Sequence, residues 1–312
     1  MSTLVSVYCL TYNHEKYIKD ALEGFINQKT DFEYEVFVHD DASTDNTAKI
    51  IKEYAQKYPH IIKPILQKEN QYSKGVKIFY QYIYPRISGK YIASCEGDDY
   101  WCDNKKLQKQ VEYLEKHEEC VACVHNSIIF DISEGSKSFI SKKFFNGSIS
   151  MKKIIKWKNV FHTSSLVYRK SALQNDWVKN NIINGVGDFP LALYLRAQGK
   201  IYYLANKMSV YRRNVEGSWS NRNRDYDVNA KMNIKILENF NDLTNNKYFS
   251  EISQKINRLN AEIMYRNLEI KELREMGYST LIRIGCGDIA ISVFLQVHVY
   301  KLYRIIKENM RR

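Results

Sequence analysis

The feature that most constrains this chain is an alternation: over its first hundred residues, short apolar runs take turns with amphipathic stretches. Leu4 to Leu10 reads as a strand. Tyr17, Ile18, Ala21, Leu22, Phe25 and Ile26 then recur at helical spacing, which predicts a helix over residues 14 to 28. Tyr34 to His39 predicts a second strand, and Ala48, Ile51, Tyr54 and Ala55 mark the next helix. Such βα units build parallel sheets, because parallel neighbours need a long crossover and a helix supplies it. A third strand is expected near Ile61 to Gln67. Pro64 within it has no N–H to give to a ladder, so this strand belongs at a sheet edge. Residues 76 to 84 read as helical, Lys90 to Cys95 as a fourth strand, 104 to 118 as a polar helix and Val121 to Phe130 as a fifth strand.

Beyond this the pattern loosens. Residues 131 to 150 are polar and rich in Ser, Lys and Gly, which predicts a loop. A strand at Ser165 to Arg169, a helix at 188 to 198 and strands near Ile201 and Met208 complete a first domain, expected over 1–225. From 226 to 312 the pattern is helical only. Hydrophobic residues at 44% and charged residues at 26% are ordinary for a folded chain and exclude disorder and collagen-like architecture. Six cysteines in 312 residues make no disulfide framework. Leu4 to Leu10 is too short, and preceded by no basic run, to read as a secretory signal, so a reducing cytoplasm is the expected setting. No uncharged apolar run reaches the roughly 18 residues of a spanning helix.

Acidic residues fall where an open parallel sheet binds ligands, beyond the carboxyl ends of its strands. The first group, Asp40-Asp41-Ala42-Ser43-Thr44-Asp45, follows the second strand. Capping explains part of it, since Ser43 or Asp45 can accept from N–H groups at the next helix start. The second group, Glu96-Gly97-Asp98-Asp99, follows the fourth strand. Adjacent carboxylates at a buried strand end repel each other unless a cation lies between them. A pair of oxygen ligands suits Mg²⁺ or Mn²⁺, hard cations that commonly keep phosphate oxygens as further ligands. Gly97 allows the backbone to approach a ligand closely. A solvated acidic turn is the competing reading.

In order and spacing, Val5 to Asn13, then Asp40 to Asp45, then Glu96 to Asp99 resemble the family 2 glycosyltransferases with the GT-A fold. The likeness is strongest to bacterial members that build capsular or surface polysaccharides, and it runs over about residues 3 to 220. It implies a nucleotide-sugar-binding, Rossmann-like, mostly parallel α/β domain followed by the helical region. It further implies that Thr11, Tyr12 and Asp41 hold the base of a UDP-sugar, Tyr12 by stacking and Asp41 by accepting a ring N–H. Asp98 would meet the ribose or the metal, and Asp99 would bind the Mn²⁺ or Mg²⁺ that bridges the diphosphate. Lys74 and Arg212 are implied on the donor side, with Lys77 beside Lys74; solvated lysines are the plain alternative.

The resemblance also implies a base, an Asp opening a late helix. Gly187-Asp188 occupies that place, where an N-cap carboxylate is the structural alternative. One base and no second carboxylate nucleophile imply a single displacement with inversion. Many relatives carry a His after the late Tyr-Arg pair; here the run is Tyr211-Arg212-Arg213-Asn214, so Asn214 or an arginine would have to serve. The Gln-x-x-Arg-Trp motif of processive synthases is absent, which implies one sugar added per encounter.

Cys120-x-x-Cys123 has no second pair and reads as buried thiols rather than a zinc site. His162 could line the acceptor side, Trp101 a sugar and Trp219 a lid. A net charge of +12 suits phosphorylated ligands, anionic lipid or nucleic acid, but no nucleic-acid motif appears and none is expected as a partner. A Gly-rich phosphate loop is also missing after the first strand, against nucleotidyltransferase and dinucleotide-dependent readings. The expected partners are a nucleotide-sugar donor and a glycan or lipid-linked saccharide acceptor. From Leu295, the residues Val299, Leu302, Tyr303, Ile306 and Met310 share a helical face, with Lys301, Arg304, Lys307 and Arg311 opposite. That pattern fits a helix in an anionic membrane interface at the inner face of the cell membrane. It equally fits a helix packed on the catalytic domain or on a second subunit, as in a homodimer.

Overall fold

The alternation folds as a sheet. The computed structural model describes residues 3–294 except 142–144, 157–159, 174–175, 182–186, 217, 219–224, 268–269 and 284–285. Contacts divide the chain into two compact units, Met1–Arg222 and Asn223–Arg312. In the first, β1 (Val5–Thr11), α1 (Ile18–Ile26), β2 (Tyr34–Asp40), α2 (Thr47–Lys57) and β3 (Ile62–Leu66) follow the expected βα order. Next come β4 (Tyr91–Ser94), β5 (Tyr100–Trp101), α3 (Lys106–Lys116), β6 (Cys120–Asp131), β7 (Ser136–Phe139) and β8 (Gly147–Ile149). The unit closes with α4 (Met151–Lys156), β9 (Val167–Arg169), α5 (Trp177–Asn181), α6 (Asp188–Gln198) and β10 (Lys200–Arg213).

The sheet runs β3-β2-β1-β4-β9-β6-β10-β5, with β7 added on β6 and β8 on β10. Its first four strands are mutually parallel, and β6 is parallel to β10. Between them β9 runs antiparallel to both β4 and β6. Pro64 does lie at the edge, since β3 pairs only with β2. In α1, Ile18, Ala21, Leu22 and Phe25 are buried, one stripe at i, i+3, i+4 and i+7 that packs into the core with Val5, Val7 and Val36. Three of the four residues of this stripe are aliphatic or aromatic side chains of the size that contributes about 1.5–3 kcal/mol each on burial.

The structure corrects several expectations. Residues 131 to 150 include two strands, β7 and β8, whose ladders on β6 and β10 give the polar run backbone partners that its composition does not advertise. The strands near Ile201 and Met208 are one 14-residue strand, continuous past three register shifts against β6. Residues 79–83 form a π-helical turn followed by a 3₁₀ turn at 84–86, where an ordinary helix is expected over 76 to 84. Pro85 explains the break, because it lacks the N–H that would continue the helix.

The second unit is helical among its described residues: Tyr226–Leu243, Phe249–Arg266, Ile270–Met276, Tyr278–Arg283 and Gly287–Phe294. Asp225 caps the first by accepting from the N–H groups of Asp227 and Val228 at 3.0 and 3.1 Å. Ala261, Leu273, Leu281, Ile289 and Val293 share a small core. No described helix is long and apolar enough to cross a membrane. Leu295 to Arg312, the basic amphipathic stretch, lies outside the described residues, as does Trp219.

Candidate active site

The carboxyl ends of β1, β2 and β4 open to one side of the sheet. There the loops after β1 and β2 are stitched together. The Asn13 N–H donates to Ser43 Oγ at 2.8 Å, the Thr44 N–H to Asn13 Oδ1 at 2.8 Å and the Glu15 N–H to Asp45 Oδ2 at 3.0 Å. The Asp41 N–H donates to the Thr11 carbonyl at 3.0 Å. The Asp41 carboxylate is buried and accepts from the backbone N–H groups of Gln71 at 2.8 Å and Tyr72 at 3.0 Å. This network holds Ala42 at φ 61°, a left-handed conformation that costs a non-glycine residue of order 1 kcal/mol. Thr11 is buried, and Tyr12 is half-buried in the loop beyond it. Lys74 is exposed and paired with Glu69 at 2.5 Å; Lys77 donates to the Lys179 carbonyl at 2.6 Å.

The acid pair lies past β4. Asp98 and Asp99 are 6% and 1% exposed. Asp99 Oδ1 accepts from the Arg212 N–H at 2.9 Å, but no hydrogen bond reaches Asp99 Oδ2, Asp98 Oδ1 or the neighbouring Thr11 hydroxyl, all of them buried. Unpartnered carboxylate oxygens in such surroundings are costly as anions. Burial first, then the charges of Asp98 and Glu96, accordingly hold the Asp99 carboxyl well above the usual range. Glu96 stands at the rim, still reaching solvent. The enclosing cleft, then Asp98 and Asp188, push it up to about 8. A buried, orphaned oxygen on each of two successive carboxylates fits a divalent cation: Asp98 and Asp99 would hold it, with further oxygens coming from a bound diphosphate. Among the described residues no three His, Cys, Asp or Glu side chains form a ready cage.

Arg212 supports this turn from behind. Its guanidinium donates to the Asp98 carbonyl at 2.9 Å and to Asp20, over the rings of Tyr17 and Tyr100. It is thus engaged by protein groups, and acts on the acid pair through the turn it ties down. Arg213 and Asn214 are both committed to Asp131, at 3.1 and 3.0 Å. Gly97 does serve a close approach, but to protein: a Cβ there would lie 2.7 Å from Thr11 Oγ1 and 3.0 Å from His14 Nδ1. Two histidines wall the pair. His14 Nε2 is 3.9 Å from Asp98 Oδ2, and His162 Nδ1 is 3.5 Å from Asp99 Oδ2. His162 Nδ1 is also met by the Ser164 hydroxyl at 2.9 Å, and its ring stacks on Tyr211. Burial pushes it down to about 3, so it is neutral.

Asp188 is the first residue of α6, and the capping position is Gly187, which has no side chain to cap with. Its carboxylate accepts from the Thr163 hydroxyl at 2.8 Å. The cleft around it raises its carboxyl above the usual range, and the Thr163 bond draws it back. Thr163 follows His162, which stands 3.5 Å from Asp99 Oδ2, so one short turn meets both Asp188 and the acid pair. Trp101 is a correction: only 3% exposed, it donates Nε1–H to the Ser164 carbonyl at 2.9 Å and packs on Phe25, so it is core rather than a sugar platform. Cys120 and Cys123 are buried free thiols, as are the cysteines at 9, 95 and 286. The sequence pattern alone does not single out His14, Asp20 or Thr163. No local signal marks them, since each acts across a long sequence separation.

A family model for glycosyl transferase family 2 matches residues 6–177, more than half of the chain. The chain belongs to glycosyl transferase family 2. It is similar to the protein Rv1520 of Mycobacterium tuberculosis, 36% identical over 219 residues, 69% of this chain and 60% of that protein. The chain thus spans about 60% of the length of such curated relatives. Among solved structures it is similar to S. aureus TarS 1-349 in complex with UDP-GlcNAc, with a TM-score of 0.63 and 18% identity over 84% of this chain and 73% of that one. The mannosyltransferase PcManGT from Pyrobaculum calidifontis, in complex with GDP-Man and Mn²⁺, gives a TM-score of 0.52 and 13% identity over 95% and 87%. At these identities the structural likeness establishes the fold, which is GT-A.

Proposed function

We propose that this family 2 chain is an inverting, metal-dependent glycosyltransferase that moves one sugar from a UDP-sugar to a hydroxyl of a glycan or lipid-linked glycan in surface polysaccharide synthesis. The observation that carries the reading is the pair of orphaned, buried oxygens, Asp98 Oδ1 and Asp99 Oδ2, in one cleft with Asp188. Thr11, Tyr12 and Asp41 line the base subsite in this reading. Asp41 already accepts two amides, yet a carboxylate has lone pairs left for a uracil N–H. Asp98 and Asp99 hold Mn²⁺ or Mg²⁺, which when bound supplies counter-charge to the leaving diphosphate. Lys74 reaches the donor once it leaves Glu69, and Arg212 keeps the acid turn in place. Asp188 takes the proton of the acceptor hydroxyl as its oxygen bonds to the anomeric carbon. The bond from that carbon to UDP breaks, and UDP leaves with the electron pair. A single displacement inverts the centre.

A screen of nucleotide sugars for hydrolysis with Mn²⁺ or Mg²⁺ tests this without knowing the acceptor. Release of UDP from at least one UDP-sugar, abolished by EDTA, is expected; turnover unaffected by EDTA contradicts it. The rival, a nucleotide- or nucleic-acid-binding protein without transferase activity, predicts binding and no release from any donor.

The same reading puts the protein at the inner face of the cell membrane. Ile282, Ile291 and Phe294, near the end of the described chain, are 60%, 62% and 48% exposed, and the basic amphipathic stretch follows directly. Juxtamembrane cations contribute about 1 kcal/mol each near an anionic surface. The full chain should sediment with anionic liposomes at low salt, and a variant with Lys301, Arg304, Lys307 and Arg311 all changed to Glu should not. Both proteins staying in the supernatant would assign the stretch to protein packing, on this chain or in a homodimer.

A further inference from the structure

The turn that leads into β9, residues 162–165, touches both halves of the cleft. His162 stands against Asp99 at 3.5 Å, and the next residue donates its hydroxyl to Asp188 at 2.8 Å. The turn itself is fixed from behind. Ser94 Oγ, at the end of β4, donates to the Thr163 carbonyl at 2.8 Å, and Trp101 Nε1 to the Ser164 carbonyl at 2.9 Å. The Ser164 hydroxyl continues to Ser209 on β10 at 2.9 Å. Every one of these anchors belongs to a strand or turn next to the acid pair, so the Thr163 hydroxyl is held at a set place relative to Asp98 and Asp99. Asp188, in contrast, opens a helix whose capping residue, Gly187, has no side chain.

We infer that Thr163 is a positioning residue: by occupying Asp188 Oδ2 it fixes where Oδ1 points, and so sets the base at a constant reach from the sugar held over the acid pair. The inference rests on the proposed role of Asp188. Among the described residues Tyr8 on β1 and Glu96 after β4 face Asp188; Tyr8, its phenol held above the usual range, stays neutral, while burial raises the Asp188 carboxyl and the Thr163 bond lowers it. Loss of that bond therefore moves the protonation of Asp188 to higher pH.

Thr163→Val keeps the shape of the side chain, Thr163→Ala removes it, and Thr163→Ser keeps the hydroxyl. UDP release from the UDP-sugar turned over in the screen gives kcat against pH, and calorimetric UDP binding gives a readout independent of the base. The Val and Ala variants should lose on the order of tenfold in kcat, with the acidic limb of the profile moved to higher pH and UDP affinity unchanged; Ser should restore both rate and limb. Unchanged kcat and limb in Val and Ala overturn the inference. So does a loss that Ser shares, which would mark a packing role. Asp188→Asn at full rate would instead overturn the base assignment on which it depends.

Discussion

Asp41, just past β2, has each oxygen engaged by one amide, those of Gln71 and Tyr72, whereas Asp98 and Asp99 past β4 each keep a buried oxygen that no hydrogen bond reaches. The two regions lie on neighbouring parts of one sheet and are built from the same residue type. Asp41 is structural in its own right: it closes the loop after β3 over the ends of β1 and β2, whatever else binds there. The acid pair is incomplete as protein alone, and its incompleteness is what a cation and a diphosphate would remove. A carboxylate that the fold has satisfied and one that it has left open are thus expected to fail in different ways when changed.

The largest effect is expected at the open site. Asp99→Ala should lower transfer by about a hundredfold or more, because the leaving diphosphate loses counter-charge, while UDP-sugar turnover by the parent protein remains sensitive to EDTA. Wild-type turnover by this variant in EDTA would break the comparison on the catalytic side.

Next in size is the cost of Asp41→Ala in stability. Two hydrogen bonds to a charged acceptor are lost and the Gln71 amide is left buried, so unfolding in urea should show a loss of about 3 kcal/mol. Asp99→Asn is the smallest change: its Oδ1 still accepts the Arg212 N–H, and a costly buried carboxylate becomes neutral. Without divalent cations that variant should be as stable as the parent or more so. A destabilised Asp99→Asn alongside an unaffected Asp41→Ala would reverse the assignment of the two regions.

Much of this was legible in the sequence because strand ends carry the chemistry. The period-two and helical runs located β1, β2, β4 and α6, and the acidic groups fell directly after them. Asp188 opens α6 at the place where the family resemblance, rather than the pattern itself, implied a base. What stayed hidden depends on pairing across the fold. Trp101 follows the acid pair in sequence, yet β5 turns it into the core by its ladder with β10. Lys106 belongs to a helix that reads as polar and solvated, but it is fully buried over the Trp101 ring, and burial pushes its amine down to about 7. Thr163 and Asp20 acquire meaning only because α6 and β10 return to the cleft, 25 and 192 residues away.

The central claim is that the acid pair is completed by a divalent cation together with the nucleotide. Calorimetric titration of UDP into the protein, with Mn²⁺ and with EDTA, tests it most directly, with Asp99→Asn run in parallel. UDP should bind the parent at least tenfold more tightly with Mn²⁺ than with EDTA, a difference of about 1.4 kcal/mol, and Asp99→Asn should show no such difference. Equal UDP affinity of the parent in Mn²⁺ and in EDTA would contradict the account.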